Sequence, residues 1–526
     1  MIAGSKIRML SRHSVAAPTF AKAPVSVTRS VARFVACLLA LATGCGTGDT
    51  VSGRPNVLIV VADDLAHAAV GAYGDRGHGT KWTPNLDRLA AESVVFDHAT
   101  ASSPFCTPSR QSFLTGRWPH AIGVTQVNSL LPEGARTLGH VFRDAGYATA
   151  AFGKMHWQRK RSRGVDRGFE AIADVEEWRA HLSPEDRAAY ESYRDLWRER
   201  QEAGWSHLNL DADPVPLAEE HQYASWLVDR TLEFIEGAAE RPYFAFCSFT
   251  EVHAPFAFPP SYAGRVMPDD VRLPAGHVED LRENIPGVFA TFRAREKQRG
   301  PLTDDARRQA VASYLTSAMW LDAQIGRLLE GLKQSPTADN TIVIFWSDHG
   351  FHLGEHGLLS KSVPFQEVVE APLFIRAPGV PPNRSAALVQ MLDVFPTLCD
   401  LTGVATPGNI DGLSLEALLE GGTSHRQVAY SEFIGLWGAM RNERWKLVLG
   451  HEVASGFDAL YDLQSDPRET RSLFHDPAAA ESKRDLTTAM GALLSSSPPD
   501  WISKERWDEK TGRDGGVRWA LGQIER

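Results

Sequence analysis

The sequence predicts an α/β fold: a large mixed, mostly parallel β-sheet sandwiched by helices, with a smaller C-terminal α+β subdomain. Three observations carry this expectation. Residues 56–62, 243–249 and 341–346 are nearly continuous apolar runs of strand length, the pattern of strands covered on both faces. Between them lie amphipathic helical stretches at 221–235 and 304–332, the second with Val311, Leu315, Ala318, Leu321, Ile325, Leu328 and Leu332 at helical spacing. From about Gln427 the pattern changes to short strands separated by turns, among them 444–448 and 459–463, followed by a final helix.

The chain has 526 residues, 43% hydrophobic and 23% charged, which suits a soluble protein with a large core. Its net charge of −10 gives no electrostatic footprint for nucleic acid or for an anionic membrane surface. An anionic substrate would therefore need local cations. The five cysteines make a poor disulfide framework for a chain this long. Cys247 and Cys399 read as buried thiols, with a bridge between them left open.

The N-terminus reads as an export signal. Lys6, Arg8, Arg12, Lys22, Arg29 and Arg33 precede a short apolar run at 34–42, too short to span a bilayer, and no acid occurs before Asp49. The run ends at Leu41-Ala42-Thr43-Gly44-Cys45, which is similar to a bacterial lipobox and makes Cys45 the candidate for lipidation; ordinary signal cleavage nearby is the competing reading. The expected organisation is signal and lipobox over 1–45, linker over 46–54, main domain over 55–425 and C-terminal subdomain over 426–526. The expected location is exported, periplasmic or cell-surface, with a lipid anchor to the membrane.

Within the main domain, Asp63 and Asp64 close the first run. Ligands of open α/β sheets bind at the carboxyl ends of strands, so this acidic pair has a metal reading as well as that of a helix cap or turn. Thr83-Pro84 opens a helix through Ala91, and 94–97 is the next strand. Pro108 and the helical run to Leu114 set Cys106 near a helix N-terminus, where backbone N–H groups favour an anion. A helix at 138–145 and a strand at 148–152 lead to Gly153-Lys154-Met155-His156. Read as extended chain, that segment turns Lys154 and His156 to one face. Residues 159–216 form a charged, Trp-rich helical insertion with no readable chemistry, more decoration than cleft. His253 follows the second long run, and 256–300 reads as loop-rich. Asp348 and His349 follow the third, then Gly354-Glu355-His356-Gly357, Lys361 and an edge-like strand at 372–376.

Four strands thus deliver polar groups at their carboxyl ends: Asp63 and Asp64, Lys154 and His156, His253, and Asp348 and His349. In a parallel sheet these meet in one crevice. Three carboxylates suit a hard divalent cation, the lysines and Arg110 suit an anionic group, and the histidines suit proton transfer near neutral pH. His120 and His352 have weaker claims on the cleft, and His356 reads as a structural histidine.

The stretch Cys106-Thr107-Pro108-Ser109-Arg110, continuing to Leu114-Thr115-Gly116, has the pattern C-x-P-S-R-x-x-x-L-T-G and resembles the type I sulfatases, whose cysteine is oxidised to formylglycine. The resemblance extends over Asp63-Asp64, the Thr-Pro-Asn-Leu-Asp-Arg-Leu-Ala stretch at Thr83, Gly153-Lys154 with His156, Asp348-His349-Gly350, Leu353 to Gly357, and Asp466-Pro467 near the C-terminus. It implies an alkaline-phosphatase-superfamily fold and one metal ion, calcium before magnesium. It further implies that Asp63, Asp64, Asp348, His349 and the modified Cys106 surround that metal; many relatives carry asparagine where His349 stands. Hydrated formylglycine 106 would attack sulfur with help from Asp348. His253, with Lys361, would protonate the leaving alcohol, His156 would deprotonate the second hydroxyl to expel sulfate, and Arg110 and Lys154 would hold the hydrate. The implied partners are a formylglycine-generating enzyme and a sulfated carbohydrate. The Gly153 to His156 stretch is also similar to the choline-sulfatase branch, which keeps a small sulfate ester open. The same residues leave room for a phosphonate or phosphodiester hydrolase, and for a sulfated-glycan binding protein without turnover.

Overall fold

Eight strands, most of them separated by helices along the chain, form one sheet: β1 (Asn56–Ala62), β2 (Val94–Thr100), β3 (Ala148–Gly153), β4 (Ala171–Ala173), β5 (Tyr243–Ser248), β6 (Thr341–Ser347), β7 (Leu373–Arg376) and β8 (Asn383–Gln390). This is a computed structural model, and it describes residues 53–496 apart from 77, 80, 125, 127–128, 157–165, 204–207, 239–240, 434–435 and 451–455. The predicted signal and Cys45 lie outside the described residues. The strand order is β4-β3-β5-β1-β6-β7-β2-β8. All neighbours are parallel except β7, which runs antiparallel to both β6 and β2.

The apolar run of β1 is explained by its place in the centre. Its alternate residues pack into two different cores. Leu58, Val60 and Ala62 face one layer with Leu227 and Val228 of a helix at Tyr223–Gly237, and with Leu315, Leu321 and Ile325 of a long helix at Asp304–Gln334. Val57, Ile59 and Val61 face the other with Phe113, Phe142, Phe395 and Leu398. Numbered in chain order, the helices of seven residues or more are α1 (Pro84–Ala91), α2 (Cys106–Thr115), α3 (Leu138–Asp144), α4 (Val175–His181), α5 (Pro184–Ala203), α6 (Tyr223–Gly237), α7 (Pro286–Arg299), α8 (Asp304–Gln334), α9 (Val394–Thr402) and α10 (Ala480–Ser496). Cys247 belongs to the first core and Cys399 to the second, so the sheet separates them and both are free thiols. The bridge left open by the sequence does not form.

A second sheet holds β9 (Ala429–Phe433), β10 (Trp437–Arg441), β11 (Trp445–Gly450) and β12 (Ala459–Asp462), antiparallel in the order β12-β11-β10-β9. Leu486, Met490 and Leu494 of α10 cover Leu447, Leu449 and Leu460 on one of its faces. Three elements depart from expectation. The strand read as edge-like, β7, lies inside the sheet between β6 and β2. The segment read as loop-rich contains α7, whose buried contacts are made by Val288 and Phe292, too few apolar positions to reveal a helical stripe. Strand β8 opens with the exposed Asn383 and Arg384 and so lacks an apolar run over its first half.

Candidate active site

The order β3-β5-β1-β6 sets four parallel carboxyl ends side by side. Ala62 lies opposite Ser347, which brings Asp63 and Asp64 beside Asp348 and His349. The Asp64 backbone N–H donates to Asp348 Oδ1 at 3.0 Å, and the Tyr314 hydroxyl on α8 donates to the Asp64 carbonyl at 2.7 Å. These bonds fix the turn that aims Asp64 inward, with Asp64 itself at φ 64. Beyond β3 the chain is not extended as expected. Gly153 has φ +100, and a Cβ there would stand 1.9 Å from the Ser248 carbonyl oxygen, so only glycine fits. His156 also turns back, at φ 57. Lys154 and His156 reach the site through this bend, not by sharing a strand face.

Cys106 is the first residue of α2 and is buried. Its Sγ lies 3.4 Å from His349 Nε2, 3.7 Å from Asp64 Oδ1 and 3.1 Å from Lys361 Nζ. The Lys361 ammonium also donates to both Asp64 carboxylate oxygens, at 2.7 and 2.8 Å. One turn along α2, Arg110 donates from Nε to Asp348 Oδ2 at 2.8 Å and from NH1 to Ser248 Oγ at 2.7 Å, with NH2 3.4 Å from Asp63 Oδ1. Lys154 pairs with Asp63 Oδ2. His156 Nδ1 lies 3.2 Å from Thr107 Oγ1. Nδ1 of His349 faces the Gly350 carbonyl at 2.9 Å, which leaves Nε2 as the lone-pair nitrogen toward Cys106. Nδ1 of His253 likewise faces the Ala254 carbonyl at 2.7 Å.

Three carboxylates and three fixed cations share this buried space. Burial opposes ionisation of Asp63, but Lys154, His253 and Arg110 outweigh it and hold the carboxyl well below the ordinary range. Lys361 and His253 do the same for Asp64, and Arg110 lowers Asp348 against its burial. Burial pushes the Cys106 thiol far up, more than Lys154 and Lys361 draw it down. Burial, then Lys154 and Arg110, lowers His156 to about 3, and burial with Lys154 and Lys361 lowers His253. The arrangement suits an anion and offers neutral imidazoles as proton acceptors. All ten residues singled out for the cleft meet here. His120 does not, because its Nδ1 is taken by Glu432 at 3.0 Å on β9.

Residues 55–404 match the family model described as Sulfatase, and residues 354–495 match one described as N-sulphoglucosamine sulphohydrolase, C-terminal. The chain belongs to the sulfatase family. It is a sulfuric ester hydrolase with the alkaline-phosphatase-like fold of that family. A choline-sulfatase from Rhizobium meliloti is 28% identical over 494 residues, 89% of this sulfatase and 91% of the relative. A Delta 4,5-hexuronate-2-O-sulfatase from Bacteroides thetaiotaomicron is 26% identical over 486 residues, covering 87% and 92%. Among solved structures, the phosphonate monoester hydrolase of Agrobacterium radiobacter superposes with a TM-score of 0.70 at 24% identity, over 84% of this chain and 96% of its own.

The sulfatase's donor set fits a divalent cation. One ligand atom each from Asp64, Cys106, Asp348 and His349 lies within 4.8 Å of the others, all four residues are buried, and Asp63 Oδ1 is a buried oxygen without a hydrogen-bond partner among the described residues. Beside this group opens a cavity of about 620 Å³ that the sequence did not announce. Asp63, Lys154, His156 and His253 line it together with Trp178, Tyr190, Tyr193, Arg194 and Trp197 of α4 and α5. The insertion read as decoration is therefore a wall of the cleft. Its Trp and Arg content was the available signal, but only the fold shows which way those side chains face.

Proposed function

We propose that the chain releases sulfate from sulfated carbohydrates, using a formylglycine made from Cys106 and one calcium ion. The supporting observation is Cys106 itself: a buried thiol, pushed away from thiolate by burial, at a helix N-terminus among Asp64, His349 and Lys361. Such a thiol is a weak nucleophile, whereas an aldehyde at that position suits the surroundings. As its hydrate, formylglycine supplies an oxygen nucleophile and a second hydroxyl from which the carbonyl can re-form. Asp63, Asp64, Asp348, His349 and residue 106 would hold the calcium ion, which would supply positive charge to offset that of the sulfate ester.

The remaining roles belong to side chains. Arg110 and Lys154 neutralise and orient the carboxylates and steady residue 106. Asp348, held ionised by Arg110, orients the attacking hydroxyl. Lys361 stays charged because Asp64 outweighs its burial, and it faces residue 106 as a fixed cation. His253 donates to the leaving alcohol, its proton affinity restored when an anionic ester enters between it and the lysines. His156, neutral down to about pH 3, takes the proton whose removal frees sulfate.

A carbohydrate fits the cavity because aromatic faces stack on sugar rings and Arg194 can pair with a second acidic group. A small ester such as choline sulfate is the second reading, favoured by the same aromatic rings as a cage for a quaternary ammonium group. Desulfation across a panel of sulfated glycans, choline sulfate and an aryl phosphodiester tests the class. Preference for the phosphodiester would reject it. Intact peptide mass across Cys106, after coexpression with a formylglycine-generating enzyme, tests the nucleophile, and an unmodified thiol would favour a binding protein. Export and lipidation at Cys45 belong to the same proposal, and a diacylglyceryl mass on that residue is their check.

A further inference from the structure

The loop that leaves β6 passes Asp348 and His349 and returns at Lys361, which donates to Asp64. With the helical turn that follows, it gathers a second group of ligating side chains. His352 is fully buried, and among the described residues neither of its ring nitrogens has a hydrogen-bond partner. Native interiors rarely leave such a group unpaired, so this imidazole calls for a partner. Glu367, on the helical turn Gln366–Val369, sets Oε2 3.8 Å from His352 Nε2, and that buried oxygen is also unpaired. The third member is His356, held in left-handed backbone at φ 54 between Gly354 and Gly357 and stacked on Phe365 with ring centroids 4.1 Å apart. One ligand atom from each of His352, His356 and Glu367 lies within 4.8 Å of the others.

The surrounding charge points the same way. Glu355 lies beside His78 at 3.9 Å, and Glu469 pairs with Lys446 at 2.7 Å. Glu367 stands close to both Glu355 and Glu469, while Lys446 is paired with Glu469 and Arg441 with Glu370, so a dication beside Glu367 would relieve this crowding of carboxylates. His356 and Glu367 also line a cavity of about 520 Å³, which offers an entry path and room for a water as fourth ligand.

The geometry points to a second metal site, formed by His352, His356 and Glu367, for a divalent transition ion of the zinc class. Two imidazoles and one carboxylate suit zinc, whereas calcium wants oxygen throughout. Bonds of about 2.0–2.2 Å in a tetrahedral site bring donor atoms to roughly 3.3–3.6 Å apart, so His352 Nε2 and Glu367 Oε2, 3.8 Å apart, need only a small approach on binding. The ion would clamp the loop whose far end carries Lys361. The site is independent of the state of Cys106.

The full chain, first saturated with calcium, is titrated with cobalt(II) and then zinc. One cobalt per chain with four-coordinate ligand-field bands, displaced by zinc, is expected. His352→Gln and Glu367→Gln should weaken it at least tenfold, and Asp348→Asn should leave it in place. Absent bands, or variants that bind as the parent does, would overturn the site. Because either variant could misfold, zinc-edge anomalous diffraction from the parent protein gives a separate decision. A peak between His352, His356 and Glu367 supports the assignment, and density confined to the Asp64 and Asp348 group rejects it.

Discussion

Cys106 carries the chemistry because of what surrounds it, and the surroundings make its replacement informative. Its side chain is small and packed at the start of α2, so Cys106→Ala removes little apolar contact. We expect turnover to fall to background, with a melting temperature within a few degrees of the parent by calorimetry. Retained sulfate release would point to another nucleophile. Glu251, on the cavity wall, shows how a single group sets a pH dependence. Burial raises its carboxyl to about 7, more than the Thr250 N–H and hydroxyl lower it. A folded pKa above the unfolded value means this group's contribution is present below about pH 4.5 and is lost as pH rises through 7. Glu251→Gln keeps an acceptor for Thr250 without the charge. It should stabilise the fold by about 1–3 kcal/mol at pH 8 and hardly at all at pH 4, read from denaturant midpoints at the two pH values.

At the scale of elements, the strands that hold the site were legible because burial on both faces writes itself as a continuous apolar run. The ends of β1, β5 and β6 fell within a residue or so of expectation, and the polar residues just past them are the site. What stayed hidden depends on three-dimensional direction. The bend after β3 follows from Gly153 packing on the Ser248 carbonyl, a contact between strands far apart in sequence. The cleft wall on α4 and α5 is another such case, since Tyr190, Arg194 and Trp197 lie on a helix whose orientation no local pattern fixes. This wall predicts a separation of binding from chemistry. Arg194→Ala, which leaves Asp63, Lys154 and His253 untouched, should raise KM for an acidic sulfated sugar about tenfold with kcat within about twofold, a loss near 1.4 kcal/mol of binding. The same variant should treat a simple aryl sulfate as the parent does, and equal losses on both substrates would mean that the wall does not touch the sugar.

Across the whole molecule, the small C-terminal sheet is tied to the large one by buried polar contacts. The pattern change near Gln427 marked the sheet, but nothing in the residues revealed its attachments. His120, just after α2, binds Glu432 of β9; the Asn284 side chain donates to the Glu469 carbonyl at 2.8 Å; and Glu370 bonds Arg441 of β10 at 2.7 Å and His98 of β2 at 3.1 Å. Glu370 is buried, yet Arg441, then His98 and His67, more than offset burial and lower it to about 2. A depressed folded pKa stabilises above the unfolded carboxylate range and loses that contribution as pH falls from about 4.5 toward 2. Removing the guanidinium leaves a buried carboxylate with no full cation in contact, only the half-buried His98 and the Gln366 amide, which donates to Glu370 Oε1 at 2.9 Å. Arg441→Ala should therefore cost on the order of 3–5 kcal/mol at pH 7, and less near pH 4, where the bare carboxyl takes a proton. Thermal unfolding at both pH values reads this directly. If the two sheets are one cooperative unit, the variant should lower a single transition instead of splitting it. An early separate transition for the C-terminal sheet, with the larger sheet unmoved, would show that Glu370 does not couple them.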